Sequence, residues 1–238
     1  MPRRRVITGV SAVLVVAIRL IAATTPSFVR DWAPFLYVSV AYYLTGFLFV
    51  APSAALEAWL LKWDHRWFGD PTTRFAKWPW WAVAYLEIVY TLCFVLLPGG
   101  FAALAIAGHS ERANRYWTMV LAADMGAFAP LSVFQTRPPW AIEPEPTLAD
   151  SGIHRLASYV IKSATTGANT FPSGHVAVTI AVALGVVGSL PVVGAILLGL
   201  AASIAVACVV GRYHYAVDVL AGAVLGVVVC AVVVICGA

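Results

Sequence analysis

Charge is what this chain has least of. Of its 238 residues only 11% are Asp, Glu, Lys or Arg, while 61% are hydrophobic and the mean hydropathy is +0.87. An ordinary soluble domain carries about 25% charged residues, so a water-soluble fold is excluded and the chain reads as an integral membrane protein. Cysteine is scarce too. The four present, Cys93, Cys208, Cys230 and Cys236, lie in apolar stretches without metal-ligand spacing, so they read as buried thiols. The net charge is only +4, with no long basic run or aromatic–basic pattern, which removes nucleic acid as a partner. No internal repeat and no composition break divides the chain, and residues 1–238 are expected to form a single integral membrane domain.

What is abundant is long apolar sequence. A helical span needs about 20 mostly apolar residues, and segments of that kind run near 6–25, 35–61, 80–107, 116–134, 173–190, 192–210 and 213–236. No ten-residue alternating pattern suggests strands, and lipid cannot satisfy an open sheet edge. The expected fold is all-α: a polytopic transmembrane helical bundle with a six-span core and an extra N-terminal helix. Arg3–Arg5 followed by an apolar run has the look of a signal peptide, but Arg19 interrupts that run and no small-x-small cleavage site follows, so an uncleaved first helix is expected. Trp63, Trp67, Trp78, Trp80, Trp81, Trp117 and Trp140 gather at the expected span ends as interfacial anchors. Residues 62–79 form a polar, basic loop. Residues 135–171 are the longest hydrophilic stretch, and their acidic, Pro-rich piece 143–150 reads as a flexible loop, with a lid as the alternative.

The few polar groups in the second half are not scattered. Phe171-Pro172-Ser173-Gly174-His175 opens one apolar hairpin and Gly211-Arg212-Tyr213-His214-Tyr215-Ala216-Val217-Asp218 follows it. Counting spans puts Arg137, Pro172–His175 and Arg212–His214 on one membrane face. His214 and Asp218 are four apart and share a helical face; the carboxylate fixes one imidazole nitrogen and leaves the other free to attack. Ser173 caps a helix and Gly174 lets its backbone approach an anion, at an N-terminus already suited to phosphate. His175, one turn in, is placed to pass a proton to a leaving oxygen. Arg212 and Arg137 are forks for phosphate oxygens. Glu57, Glu87 and Asp124 lie in or near spans and read first as structural pairs, with a headgroup role as the alternative. His65, His109 and His154 read as solvated loop residues.

These residues resemble a known family. Phe-Pro-Ser-Gly-His followed by His-Tyr-x-x-Asp-Val is similar to the type 2 phosphatidic acid phosphatase superfamily, whose pattern is Lys-x6-Arg-Pro, Pro-Ser-Gly-His and Ser-Arg-x5-His-x3-Asp. The resemblance covers roughly 34–236, with its catalytic segment near 130–220. Two positions depart from it: Pro130 stands where the first lysine belongs, and Cys208 stands where the third-motif arginine belongs, with Arg212 four residues later, on the same face of a helix and one turn nearer His214. Both departures, with Arg-Pro-Pro-Trp and Arg-Tyr-His-Tyr, resemble the inositol phosphorylceramide synthase-like branch.

The resemblance implies a lipid phosphatase acting on a lipid or isoprenoid phosphomonoester. His214 would be the nucleophile that becomes a phosphohistidine, Asp218 its orienting partner and His175 the acid and base. Arg137, Arg212, Ser173 and Gly174 would hold the phosphate, with no metal and no cofactor. The alternative is a phosphotransferase that passes a phosphoryl-headgroup to a lipid alcohol. A third reading, of another class, is a transporter or binding protein. The expected location is the bacterial cytoplasmic membrane. The resemblance favours an outward-facing site, although the basic residues favour a cytoplasmic one if residues 6–25 span.

Overall fold

The computed structural model of the chain describes residues 2–47, 49, 51–143 and 167–237. Ten α-helices are present among them: α1 (Pro2–Thr24), α2 (Ser27–Trp32), α3 (Pro34–Gly46), α4 (Ala54–Phe68), α5 (Pro71–Ala76), α6 (Trp80–Ile106), α7 (Ala113–Phe128), α8 (Gly174–Val187), α9 (Pro191–Val210) and α10 (Ala216–Ile235). Extended pairing among the described residues is limited to one isolated antiparallel bridge, Thr136 with Asn169. The protein is an all-α membrane helical bundle. Helices α6, α9 and α10 are long and apolar enough to cross a bilayer on their own, and shorter apolar helices accompany them.

Helix α8 forms the centre. It packs against α6, α7, α9 and α10, and Val176, Ala177, Ala181, Val182, Ala183 and Val186 on it are wholly buried. Small side chains make that possible, because without a strong hydrophobic drive between helices in lipid, close backbone approach supplies the attraction. Gly222 and Gly226 of α10 are the clearest case: a Cβ at Gly222 would stand 2.5 Å from the Ser173 carbonyl oxygen, and one at Gly226 would stand 2.7 Å from that of Ala177. Meanwhile Val192 and Ile196 on α9 and Leu220 and Val224 on α10 remain exposed, as expected of surfaces that meet acyl chains.

The structure redraws part of the sequence reading. The stretch 35–61 is not one span: α3 stops at Gly46 and α4 begins at Ala54. Between them lies Ala51-Pro52-Ser53, where proline disfavours helix at the preceding residue and the Ser53 hydroxyl caps the new helix by accepting from the Leu56 amide at 3.3 Å. Residues 62–68, expected to begin a polar loop, continue α4, and α5 fills 71–76 behind the Asp70 cap and Pro71. The stretch 116–134 is α7 followed by a 3₁₀ turn over 129–132. Helix α1 stands apart from the bundle, with no substantial packing against any other described helix.

Candidate active site

Two chain segments meet over the polar end of the bundle, 135–140 and 167–175, joined by the Asn169 amide donating to the Thr136 carbonyl at 2.8 Å. The turn after α9 closes against them: Trp140 N donates to the Arg212 carbonyl at 3.1 Å, and Tyr215 Oη donates to the Arg137 carbonyl at 2.9 Å. The three sequence motifs therefore do converge at one end of the molecule.

At the centre is a line of side chains. His214 Nδ1 lies 2.9 Å from Asp218 Oδ2, and His214 Nε2 lies 3.2 Å from His175 Nδ1. His175 Nε2 in turn lies 3.3 Å from Tyr90 Oη, whose ring stacks on the imidazole with centroids 4.9 Å apart. With both rings neutral and Asp218 ionised, one proton placement satisfies every contact. Tyr90 donates to His175, His175 Nδ1–H donates to His214, and His214 Nδ1–H donates to Asp218. The lone pair of His214 Nε2 then points at the proton-bearing nitrogen of His175. The two ring nitrogens thus face each other directly across 3.2 Å.

Asp218 is wholly buried and held from a second side by Asn169 Nδ2 at 3.0 Å, which also reaches Thr136 Oγ1 at 3.1 Å. The pairing with His214 differs in kind from the helical one expected. Helix α10 starts at Ala216 with Tyr215 as its N-cap, so His214 lies outside the helix and Asp218 sits in its first turn, where the helix dipole favours a carboxylate.

Ser173 is the N-cap residue of α8, yet its hydroxyl makes no capping bond and is buried without a hydrogen-bond partner among the described residues. What orders this end of α8 is Ser173 N donating to the Asp218 carbonyl at 3.1 Å, which the missing side chain of Gly222 permits. The Gly174 amide is engaged as well, donating to Thr170 Oγ1 at 3.0 Å.

The arginines are placed unequally. Arg137 presents Nε and Nη2 to the two oxygens of Glu57 at 3.1 and 2.8 Å, its own amide donates to Glu57 Oε1, and its side chain is 44% exposed. Arg212 is 1% exposed. Its Nη1 donates to Asp64 Oδ2 at 2.7 Å and its Nη2 to Glu143 Oε2. The helical relation of Arg212 to Cys208 expected from spacing does not exist, because α9 ends at Val210 and Arg212 adopts φ +58°. There the Tyr213 and His214 amides fold back onto the Cys208 carbonyl.

An apolar cavity of about 270 Å³ opens beside the histidines. His175, His214, Tyr90, Asn169, Gly174 and Trp140 line its polar end, and Phe94, Leu97, Phe128 and Val178 line its walls. Asp218, Ser173, Arg137 and Arg212 do not line it. Of the remaining sequence candidates, Glu57 is paired with Arg137, Glu87 is buried on α6, and Asp124 lines the cavity. His65 meets Glu143 at 2.6 Å and His109 faces Glu111. His154 and residues 144–150 lie outside the described residues.

Sequence reasoning missed four residues of this site. Tyr90 carries no local signal, since it is one aromatic among many in an apolar helix. Thr136 and Asn169 stand next to motif residues and were passed over as loop polars. Asp64 falls within the expected loop 62–79; its position seven after Glu57, on one helical face, is the available clue.

A family model described as the PAP2 superfamily matches residues 58–232. Searches of curated proteins and of solved structures found no match.

Proposed function

Because the chain belongs to the PAP2 superfamily, and is thereby a membrane enzyme of the lipid phosphatase or phosphotransferase type, we propose that it hydrolyses a phosphomonoester of a lipid or isoprenoid through a phosphohistidine. The observation that carries this reading is the Tyr90–His175–His214–Asp218 relay opening onto an apolar cavity. The phosphoryl group enters between the two imidazoles. His214 Nε2 attacks phosphorus in line while the bond to the ester oxygen breaks, and that oxygen leaves with the Nδ1 proton of His175, which enters the step as an imidazolium paired with the bound phosphate and leaves it as the neutral ring. The positive charge appearing on His214 is balanced by Asp218. A water then gives its proton to His175 and attacks the phosphohistidine, releasing inorganic phosphate and restoring both rings.

The exposed edge of Arg137 binds non-bridging oxygens, joined by the Gly174 amide and Ser173 hydroxyl once substrate draws them from their present environment. Arg212 joins them only if substrate displaces Glu143. Preorganised charge around the phosphoryl oxygens supplies most of the stabilisation in such transfers. No step calls for a divalent ion, and activity is expected to survive a chelator.

Transfer to a lipid alcohol is the second reading. The absent motif lysine, Arg137-Pro138-Pro139-Trp140 and Arg212-Tyr213-His214-Tyr215 favour it through their likeness to the inositol phosphorylceramide synthase-like branch. Purified wild type and His214→Ala, assayed for phosphate and for lipid products across phosphomonoesters and phosphodiesters, separate the readings. Free phosphate lost in the variant supports hydrolysis, and a new lipid without free phosphate supports transfer. Activity that persists in His214→Ala sinks both. The site is proposed to face outward, as reporter fusions at the C-terminus and in loop 108–115 would test.

A further inference from the structure

One polar group in the cavity has no part in the relay. Asp124 lies on α7, one turn before Phe128, is 4% exposed, and lines the same cavity as the histidines. Its Oδ2 is buried without a hydrogen-bond partner among the described residues. The cavity it lines is walled by the apolar Phe94, Leu97, Phe128 and Val178, with Cys93, Ser39, Tyr42 and Tyr43 also on its lining. An unpaired polar group in such surroundings costs about 2–7 kcal/mol. Ionisable groups at membrane depth that are not paired with one another mark substrate pathways.

Depth along the helices places this carboxyl relative to the chemistry. On α6, Tyr90 touches His175, while Cys93, Phe94 and Leu97 line the cavity further on. Seven residues at 1.5 Å each carry the wall about 10 Å below the reacting histidine. On α7, Phe128 leads into the chain that reaches the site, and Asp124 lies one turn, about 5 Å, further in. That is the depth of the backbone of a lipid whose phosphate sits between the imidazoles, above its hydrocarbon tail. A permanent cation brought there would lose its hydration against four apolar side chains, a heavy cost that one carboxylate repays poorly. A hydroxyl costs far less to desolvate and supplies the donor that the carboxyl lacks.

We propose that Asp124 is a recognition site for a hydroxyl on the backbone of the bound lipid. It would select hydroxyl-bearing lipid phosphates over fully esterified or isoprenoid ones. The proposal rests on the lipid-phosphate reading above. Its test uses two non-hydrolysable alkyl phosphonates of equal length, with and without a hydroxyl two carbons from the headgroup, bound to the full-length protein in detergent.

Wild type is expected to bind the hydroxylated phosphonate about 10-fold more tightly, as one hydrogen bond to a buried, otherwise unsatisfied carboxyl oxygen allows. Asp124→Leu is expected to bind both equally, and Asp124→Asn to retain part of the preference through its amide oxygen. The melting temperature of ligand-free Asp124→Leu is expected to equal or exceed that of wild type, since Leu removes a buried oxygen without a partner among the described residues. Equal binding of the two phosphonates by wild type, or a preference that survives in Asp124→Leu, overturns the proposal. So does a lowered melting temperature of the empty variant, which would mark a structural role. A second arm compares neutral 2-hydroxyalkyl and alkyl lipids. A hydroxyl preference there without phosphonate binding keeps the Asp124 site and removes the phosphate reading, whereas no preference in either arm removes the Asp124 site.

Discussion

Arg137 and Arg212 carry the same group, one in the first family motif and one beside the third, and end at the same face of the bundle, yet they are held in opposite ways. Arg137 is gripped along one edge by Glu57, leaving a half-exposed guanidinium whose other edge meets no partner among the described residues. Arg212 is tied at both ends, to Asp64 and to Glu143, and is closed off from solvent. One carboxylate aims an arginine; two carboxylates consume it. The difference originates on α4, where Glu57 and Asp64 lie two turns apart on one buried face, with Asp64 Oδ1 also accepting from the Ala216 amide that begins α10. Arg212 therefore ties the chain entering the helix that carries Asp218 to α4, while Arg137 keeps an exposed edge, the one proposed to meet an anion.

The most severe way to break this contrast is to remove each arginine and read stability and activity separately. Arg212→Leu leaves Asp64 buried without its partner, and is expected to cost about 3–5 kcal/mol of stability, seen as a large fall in melting temperature in detergent. Arg137→Leu strips a half-exposed pair, worth at most about 1 kcal/mol, so its melting temperature should barely move. Its kcat/KM should nonetheless fall about 10²–10³-fold, the usual effect of losing one donor to a transition-state oxyanion. If the two variants lose stability equally, the distinction between aiming and fastening is lost.

How much of this was legible beforehand follows the range of the interactions. Spans α6, α8, α9 and α10 fell within a few residues of where the hydropathy put them, because twenty consecutive apolar residues leave little choice. The convergence of Arg137, His175 and His214 at one end was legible by counting crossings. The break between α3 and α4 was written in Pro52 and Ser53 but was overridden by the apolar content around them. What spacing cannot carry is a partner brought in by tertiary packing. Nothing local tells that Glu57 meets a residue 80 positions away or that Asp64 meets one 148 positions away. The displaced arginine shows the same limit: treating 208–212 as helix put Arg212 on the face of Cys208, one turn nearer His214, and the chain reversal at Arg212 turned it elsewhere.

Glu57 allows a finer version of the comparison. If it aims Arg137, Glu57→Gln loses the charge but keeps the shape, and the guanidinium should wander. The expected result is a rise in KM of about 10-fold, equivalent to about 1.4 kcal/mol, with kcat within about 3-fold of wild type. A carboxylate that instead competed with substrate for Arg137 would give the opposite sign, a lower KM. Steady-state kinetics on one phosphomonoester distinguishes the two, and a lowered KM would falsify the aiming role.

The gentlest probe acts on the outer end of the Arg212 tie. Glu143 is shared: one oxygen meets Arg212 and the other meets His65 at 2.6 Å. The hydrogen bond to Glu143 raises the pKa of His65 above its usual value, with burial opposing it. A histidine whose folded pKa lies above the unfolded one contributes stability that is complete below the unfolded value near 6.5 and is lost as pH rises through the folded value. His65 is 46% exposed at its side chain, so solvent screens most of the effect. The wild-type melting temperature should fall by about 1–2 °C more than that of His65→Ala between pH 6 and pH 8. Because Arg212 remains charged throughout, Asp64 should hold it at both pH values, and kcat/KM should keep the same pH profile in the two proteins. A profile that shifts with His65 would instead couple the tie to the relay, and Arg212 would then belong with Arg137 among the groups that reach the phosphate.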